Sequence, residues 1–237
     1  MKVIFYGSDK NSEIVLRLLE ADKRFQIVEN PQGAEVGVLA SYGRILSAKE
    51  LSVPKHGILN IHPSLLPEYR GPTPVPSAII NGEKKTGVSI IKMDEEIDHG
   101  PIVAQFELDI FPEDTSETLL TRAFTAGAQV LKTILPAYIE GKIELRPQDH
   151  SQATFTKKFT REDGQIDWSK PPEYQDRFIR AMLPWPGAWS NAKSKRLKIL
   201  KAHLINGKLV LDTVQLEGKN PVTFKQLLEG HPGTKII

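Results

Sequence analysis

Asn60 and His62 stand two residues apart in the apolar run Gly57–His62, and Asp98 follows in the loop Asp94-Glu95-Glu96-Ile97-Asp98-His99-Gly100. An amide, an imidazole and a carboxylate form a set suited to acyl transfer onto an amine. A neutral amide donates a hydrogen bond to a developing oxyanion without a charge that must be titrated. An imidazole donates a proton or a hydrogen bond to the same oxygen, and a neighbouring acid keeps it charged. Taken one at a time, each residue also has a structural reading. These are a hydrogen-bonded histidine at a strand end, an asparagine satisfying turn backbone, and an aspartate forming a turn before His99-Gly100.

The elements that must position these side chains are read from the hydrophobic pattern. On a strand at Gly57–His62, period two places both side chains on one face, and Pro63 ends the strand by removing an N–H. In an open α/β sheet the carboxyl ends of the strands border the usual ligand crevice. Further strand-like runs are Val3–Ser8, Phe25–Val28, Val36–Ala40, Gly87–Met93 and Ile102–Leu108. Between them lie helical patterns. The first is capped by Asn11 or Ser12 and carries Ile14, Val15, Leu18 and Leu19 on one face. The second is Val75–Ile80. The third, Ser116–Tyr138, is capped by Thr115 or Ser116 and striped by Leu119, Leu120, Ala123, Val130, Leu131 and Ile134. Strands alternating with helices predict an α/β fold with a Rossmann-like, mostly parallel sheet.

After Tyr138 the texture changes. The spacing places a boundary near residue 150, giving domains 1–150 and 151–237. The second is expected to be a small β-rich module, with one helix near Pro172–Met182 and short runs at Leu197–Ala202, Leu204–Ile205 and Leu209–Leu216.

The bulk properties are those of a soluble globular protein, with 40% apolar and 25% charged residues in a chain of 237. There is no eighteen-residue apolar run, so no membrane span is expected. Met1-Lys2 leads straight into a strand, without a signal peptide. The absence of cysteine excludes disulfides, thiolate nucleophiles and thiolate zinc sites. Both features fit a cytoplasmic location. Six histidines without His-x₃-His spacing predict no metal site. The net charge of +2 is unevenly spread. Residues 1–149 hold 16 Lys+Arg against 21 Asp+Glu, a net of −5, and residues 150–237 hold 15 against 8, a net of +7. A basic C-terminal part is either a polyanion-binding surface or a solvated face.

Asn60-Ile61-His62-Pro63-Ser64-Leu65-Leu66-Pro67, followed by Tyr69-Arg70-Gly71, resembles the active-site signature of the folate-dependent formyltransferases. Asp98-His99-Gly100-Pro101-Ile102 resembles their loop with the catalytic acid. The stretch Thr156–Ser169 resembles the opening of the C-terminal region in the branch that formylates methionyl-tRNA. Pro184-Trp185-Pro186-Gly187-Ala188-Trp189 and Val214–Pro221 fit the same branch. The resemblance implies a shortened formyltransferase fold and 10-formyltetrahydrofolate as donor. It implies the amino group of initiator methionyl-tRNA as acceptor, with Asn60, His62 and Asp98 catalytic. Folate would lie against Ser64, Leu65, Leu66 and Pro67 and against Met93, Asp94 and Ile97. Leu39, Tyr42, Ile45 and Leu46 would wall the slot or serve as ordinary core. Lys157, Lys158, Arg161, Lys193, Lys195, Arg196 and Lys198 are the candidate tRNA phosphate contacts. A sugar N-formyltransferase acting on a nucleotide-linked amino sugar, and a folate- or RNA-binding relic, are the competing readings.

The chain departs from that family pattern in three places. Only Glu29–Glu35 separates two strands where relatives carry a further strand–helix unit and a basic loop. Asn11 stands where relatives of the tRNA branch have an aromatic residue. Leu197–Glu217 is short for an OB-like barrel, so a truncated version is expected.

Overall fold

A computed structural model describes residues 1–192 and 195–230. These residues form two compact units. The first gathers Met1–Pro74, Lys84–Ile110 and Thr118–Lys157, and the second gathers Val75–Glu83, Phe111–Glu117 and the residues from Lys158 onward.

The first unit is built on a six-stranded sheet. Its strands are β1 (Lys2–Tyr6), β2 (Gln26–Val28), β3 (Val36–Leu39), β4 (Ile58–His62), β5 (Lys85–Lys92) and β6 (Ile102–Asp109), in the order β2-β1-β3-β4-β5-β6. The pairs among β1, β2, β3 and β4 are parallel, while β5 runs antiparallel to both β4 and β6. The sheet is therefore mostly parallel, with one reversed strand. Helices α1 (Lys10–Glu20) and α4 (Ser116–Ile139) cover one face. Val15 and Leu19 of α1 and Ala123, Phe124, Ala128, Leu131 and Leu135 of α4 pack in one cluster with Val3, Val36, Val38, Leu59, Ile61, Val88 and Ile90. Gly127 permits this approach, because a Cβ there would press on the Ile61 side chain at 2.7 Å. On β4, Leu59 and Ile61 thus face the helices, and period two turns Asn60 and His62 the other way.

Some local features differ from the sequence expectation. Asp9 is the N-cap of α1, rather than Asn11 or Ser12. Its carboxylate accepts from the backbone N–H groups of Asn11 and Ser12, and Ser12 completes a capping box. A short helix, α2 (Ala48–Leu51), is capped by Ser47 and Glu50. One turn of helix is too short to show a period. Between β2 and β3 the chain makes only the 3₁₀ turn Pro31–Gly33.

The second unit carries a four-stranded antiparallel sheet in the order β10-β9-β8-β7. Its strands are β7 (Ala188–Ala192), β8 (Lys195–Ile205), β9 (Lys208–Leu216) and β10 (Val222–Thr223). Asn206 and Gly207 both adopt positive φ, 50° and 71°, and close the β8–β9 hairpin. Helices α3 (Pro74–Asn81), α5 (Pro172–Ala181) and α6 (Phe224–Gly230) complete the elements. Ile166, Phe178, Ile179, Met182, Leu197, Ile199, Val214 and Leu227 form the core. The runs at Leu197–Ala202 and Leu204–Ile205 are one strand. β7 and α6 were not expected, since Ser190 and Asn191 break the apolar alternation and α6 spans only two turns. No helix among the described residues is long and apolar enough to cross a membrane.

Tyr138, at the end of α4, donates its hydroxyl to the His56 carbonyl at 2.7 Å. Burial pushes its phenol up to about 12. A raised folded-state value means that the contribution is intact below pH ~10, the unfolded value, and is lost as pH rises through the folded one. In denaturant titrations from pH 10 to 12, Tyr138→Phe should lose less stability than the parent. An equal loss in the two proteins contradicts the assignment.

Candidate active site

Three residues that are remote in sequence or in direction meet on the face of β4 away from the helices. Asn60 and His62 are buried there, at 7% and 5% exposure. Asn60 Nδ2 donates to Asp98 Oδ1 at 3.2 Å. His62 Nδ1 stands 3.5 Å from Asp98 Oδ2. Its Nε2 is 3.0 Å from the Tyr69 carbonyl oxygen. The Gly71 backbone N–H donates to Asp98 Oδ2 at 2.8 Å. The sequence-predicted trio is therefore brought together by a single carboxylate.

This geometry leaves chemistry to do. An asparagine amide has two N–H donors, and Asp98 takes one. The second remains for a ligand oxygen. Both ring nitrogens of His62 face oxygen acceptors, and only a ring protonated on both donates to both. A charge-assisted N–H···O contact is about 2.7–2.9 Å, and the approach of Nδ1 to Asp98, at 3.5 Å, is longer than that. Asn60 and His62 can together supply two donors to one developing negative oxygen.

The Asp98 loop is held by devices that sequence reasoning missed. Met93 N donates to Ile58 O, so the loop leaves the sheet beside the start of β4 and returns to reach Asn60. Asp98 and Tyr69 both sit at positive φ, 49° and 58°. That region costs an L-residue about 1–2 kcal/mol, although aspartate tolerates it better than most. Gly100 is required, because any Cβ would collide with the Lys92 carbonyl oxygen. Gln148 donates through Nε2 to the carbonyls of Asp98 and Gly100, both at 2.8 Å. Its Oε1 accepts from Arg70 Nη2 at 2.7 Å. Arg70 also donates to His150 Nδ1 at 2.8 Å, and His150 stacks on His99 with ring centres 3.9 Å apart. Arg70 was visible only as part of the Tyr69-Arg70-Gly71 motif, and Gln148 only as part of a polar connector.

The predicted folate residues divide. Ser64 and Leu66 are interior, at 1% and 3% exposure. Ser64 donates to the Glu68 carbonyl, and Leu66 packs with Ile91 and Ile102. Leu65 and Pro67 are half-buried. Ser89, fully buried on β5, fastens this turn by donating to Ser64 O and accepting from Leu66 N. Met93 packs against Leu39, Leu46, Leu51 and Ile58, with Tyr6 and Tyr42 beside it. Leu39 and Leu46 are thus core. Ile45 and Ile97 are exposed apolar side chains, 74% and 54%. Asp94 bonds to His99 Nδ1 at 2.7 Å. Asn11 is buried and donates to Asp9 Oδ2. Among the candidate phosphate contacts, Lys157, Lys158, Arg161, Lys195 and Lys198 are exposed and Arg196 is half-buried. Lys193 lies outside the described residues.

Comparison with known proteins gives the family of the chain. Residues 10–135 match the formyl transferase family and residues 158–209 match the formyl transferase C-terminal domain. The chain is 52% identical over 168 residues to a methionyl-tRNA formyltransferase of Chloroflexus aurantiacus, covering 71% of this chain and 54% of that one. It thus spans about half the length of this curated relative. Among solved structures it is similar to a methionyl-tRNA formyltransferase from Clostridium thermocellum. The TM-score is 0.73 and the identity 22%, over 91% of this chain and 98% of that one. An N-formyltransferase from Helicobacter canadensis, solved with folinic acid and dTDP-3-aminofucose, shares the fold with a TM-score of 0.72 at 16% identity, over 94% and 98% of the two chains. The matched family model spans more than half of the chain and contains all three residues of the trio, and the chain belongs to the formyltransferase family.

Proposed function

We propose that this chain transfers the formyl group of 10-formyltetrahydrofolate to the amino group of initiator methionyl-tRNA. The observation that carries the reading is the contact of one carboxylate, Asp98, with both Asn60 and His62. The folate donor supplies an activated formyl carbonyl. Asn60 Nδ2 and His62 Nδ1 donate to the oxygen of that carbonyl as an amine adds to its carbon. Asp98 holds both donors on one side of the reacting centre, and its negative charge offsets positive charge on the imidazole. The amine proton passes to Asp98 or a water beside it and on to N10 of the folate, as the bond between the formyl carbon and N10 breaks and tetrahydrofolate leaves. The acceptor assignment follows what the Chloroflexus relative is named to act on.

The residues present fit a folate. Ile97 is adjacent in sequence to Asp98, and it exposes a large aliphatic side chain where a flat ring system needs an apolar face. Leu65, Pro67 and Met93 would hold the ring system alongside it, while Ser64 and Leu66 act from beneath by fixing the turn.

Loss of one oxyanion donor typically lowers kcat by about 10²–10³. Asn60→Ala, His62→Ala and Asp98→Ala should each fall in or beyond that range when tetrahydrofolate release is followed with charged initiator tRNA. Turnover near that of the parent by His62→Ala at saturating donor would overturn the reaction. Transfer to nucleotide-linked amino sugars but not to methionyl-tRNA would overturn the acceptor.

Gln148 is a positioning residue. A displacement of about 1 Å at a reacting group costs roughly 10²-fold. Gln148→Ala should lower kcat on that scale while leaving KM for the donor near that of the parent. Gln148→Glu should not rescue it, because a carboxylate would face the Asp98 and Gly100 carbonyls. Full activity of either variant contradicts the assignment.

The basic surface is tested by salt. Replacing Lys157, Lys158, Lys195 and Lys198 with Gln should reduce the slope of log binding constant against log salt for tRNA by roughly 3, as each meets one phosphate. An unchanged slope would remove them from the interface.

A further inference from the structure

The sheet of the second unit has two unlike faces. Leu197, Ile199 and Val214 point into the core and are fully buried. In the antiparallel register Trp189 pairs with Lys198, Asn191 with Arg196, and Lys198 with Gln215. Period two therefore sends Trp189, Arg196, Lys198 and Gln215 to the opposite face. There they line a cavity of about 290 Å³ with Arg161, Trp185 and Glu217.

The lining is chemically specific. Trp189 donates its indole N–H to the Arg161 carbonyl at 2.9 Å, which fixes the ring. The Arg196 guanidinium lies over that ring, 3.9 Å from its centre. Trp185 leaves 60% of its surface exposed. No ion pair engages the side chains of Arg161, Arg196 or Lys198 among the described residues. The one acid in the lining, Glu217, is turned to the backbone N–H of Arg196 at 3.3 Å. An exposed indole beside three cations, none of them in an ion pair among the described residues, suits a ligand that is flat and aromatic at one end and anionic at the other.

We propose that this cavity takes one unpaired nucleotide of the RNA acceptor, with the base stacked on Trp185 and the flanking phosphates on Arg161 and Lys198. Arg196, held flat by Trp189, closes the second side. A paired base keeps its faces against its neighbours in the helix and cannot enter. The site thus reads the presence of a looped-out nucleotide rather than its sequence. The proposal rests on the RNA-acceptor reading above, but it is tested by binding alone, so its failure is separate from failure of the formyl transfer.

The probe is a fluorescein-labelled single-stranded RNA dodecamer of mixed sequence, measured by anisotropy with the full chain. Stacking on an aromatic side chain corresponds to about 5- to 150-fold in affinity. W185A should weaken binding by that factor with an unchanged salt slope, and W185F should recover most of it. R161Q/K198Q should reduce the salt slope by about 1.4, the value for two single-strand phosphates. A fully paired duplex of the same sequence should bind parent and W185A equally. ADP, which lacks the flanking phosphates of a chain, should bind about tenfold more weakly than the dodecamer or worse. Equal RNA affinity of W185A and parent, or an equal loss for duplex and single strand, overturns the pocket. ADP binding as tightly as RNA reassigns it to a free nucleotide and overturns the RNA assignment.

Discussion

Everything in the first unit that bears on chemistry converges on one half-buried carboxylate, Asp98. Asp98 is brought to β4 at a backbone angle that side chains seldom adopt, and its two oxygens are divided between an amide, an imidazole and a backbone N–H. A carboxylate partly withdrawn from water is stabilised by being paired or hydrogen-bonded. Here those partners are the groups that would act on a carbonyl oxygen. The arrangement that stabilises the loop is therefore the arrangement that orients the donors, and neither can be altered without the other.

The support for that carboxylate is spread widely. Gln148 holds the two carbonyls on either side of His99, Arg70 holds Gln148, and Gly100 allows the loop to close on Lys92. Ser89 on β5 does the equivalent work for the turn after Pro63. The site is thus a pair of loops fastened to strands by buried side-chain-to-backbone bonds, a precise way to hold groups on irregular backbone.

Much of this was legible in the sequence, and the legible part follows from periodicity. Asn60 and His62 sharing a face is a consequence of strand pleating, and Leu59 and Ile61 entering the core is the same fact seen from the other side. The mostly parallel sheet followed from strands alternating with helices. Asp98 was suggested by its Gly-bounded loop and by the motif around it. What remained hidden has no period. Gln148 and Arg70 act through contacts 50 and 78 residues away in sequence, and nothing in their neighbours signals it. Leu39 and Leu46 are core rather than slot wall, a distinction that apolar type alone cannot make. β7 was hidden because Ser190 and Asn191 are polar, although Ser190 is buried and accepts from Trp168. The reversed direction of β5 left no mark on composition.

The central claim is that Asp98 acts through His62 and Asn60 as a unit, and a double-mutant cycle tests it most directly. The rates of tetrahydrofolate release would be compared for His62→Ala, Asp98→Ala and the double variant. Residues that act as one unit are strongly non-additive. The double variant should be about as slow as the slower single variant. A double variant slowed by the full product of the two single effects would show that the carboxylate and the imidazole work independently, and would contradict the account.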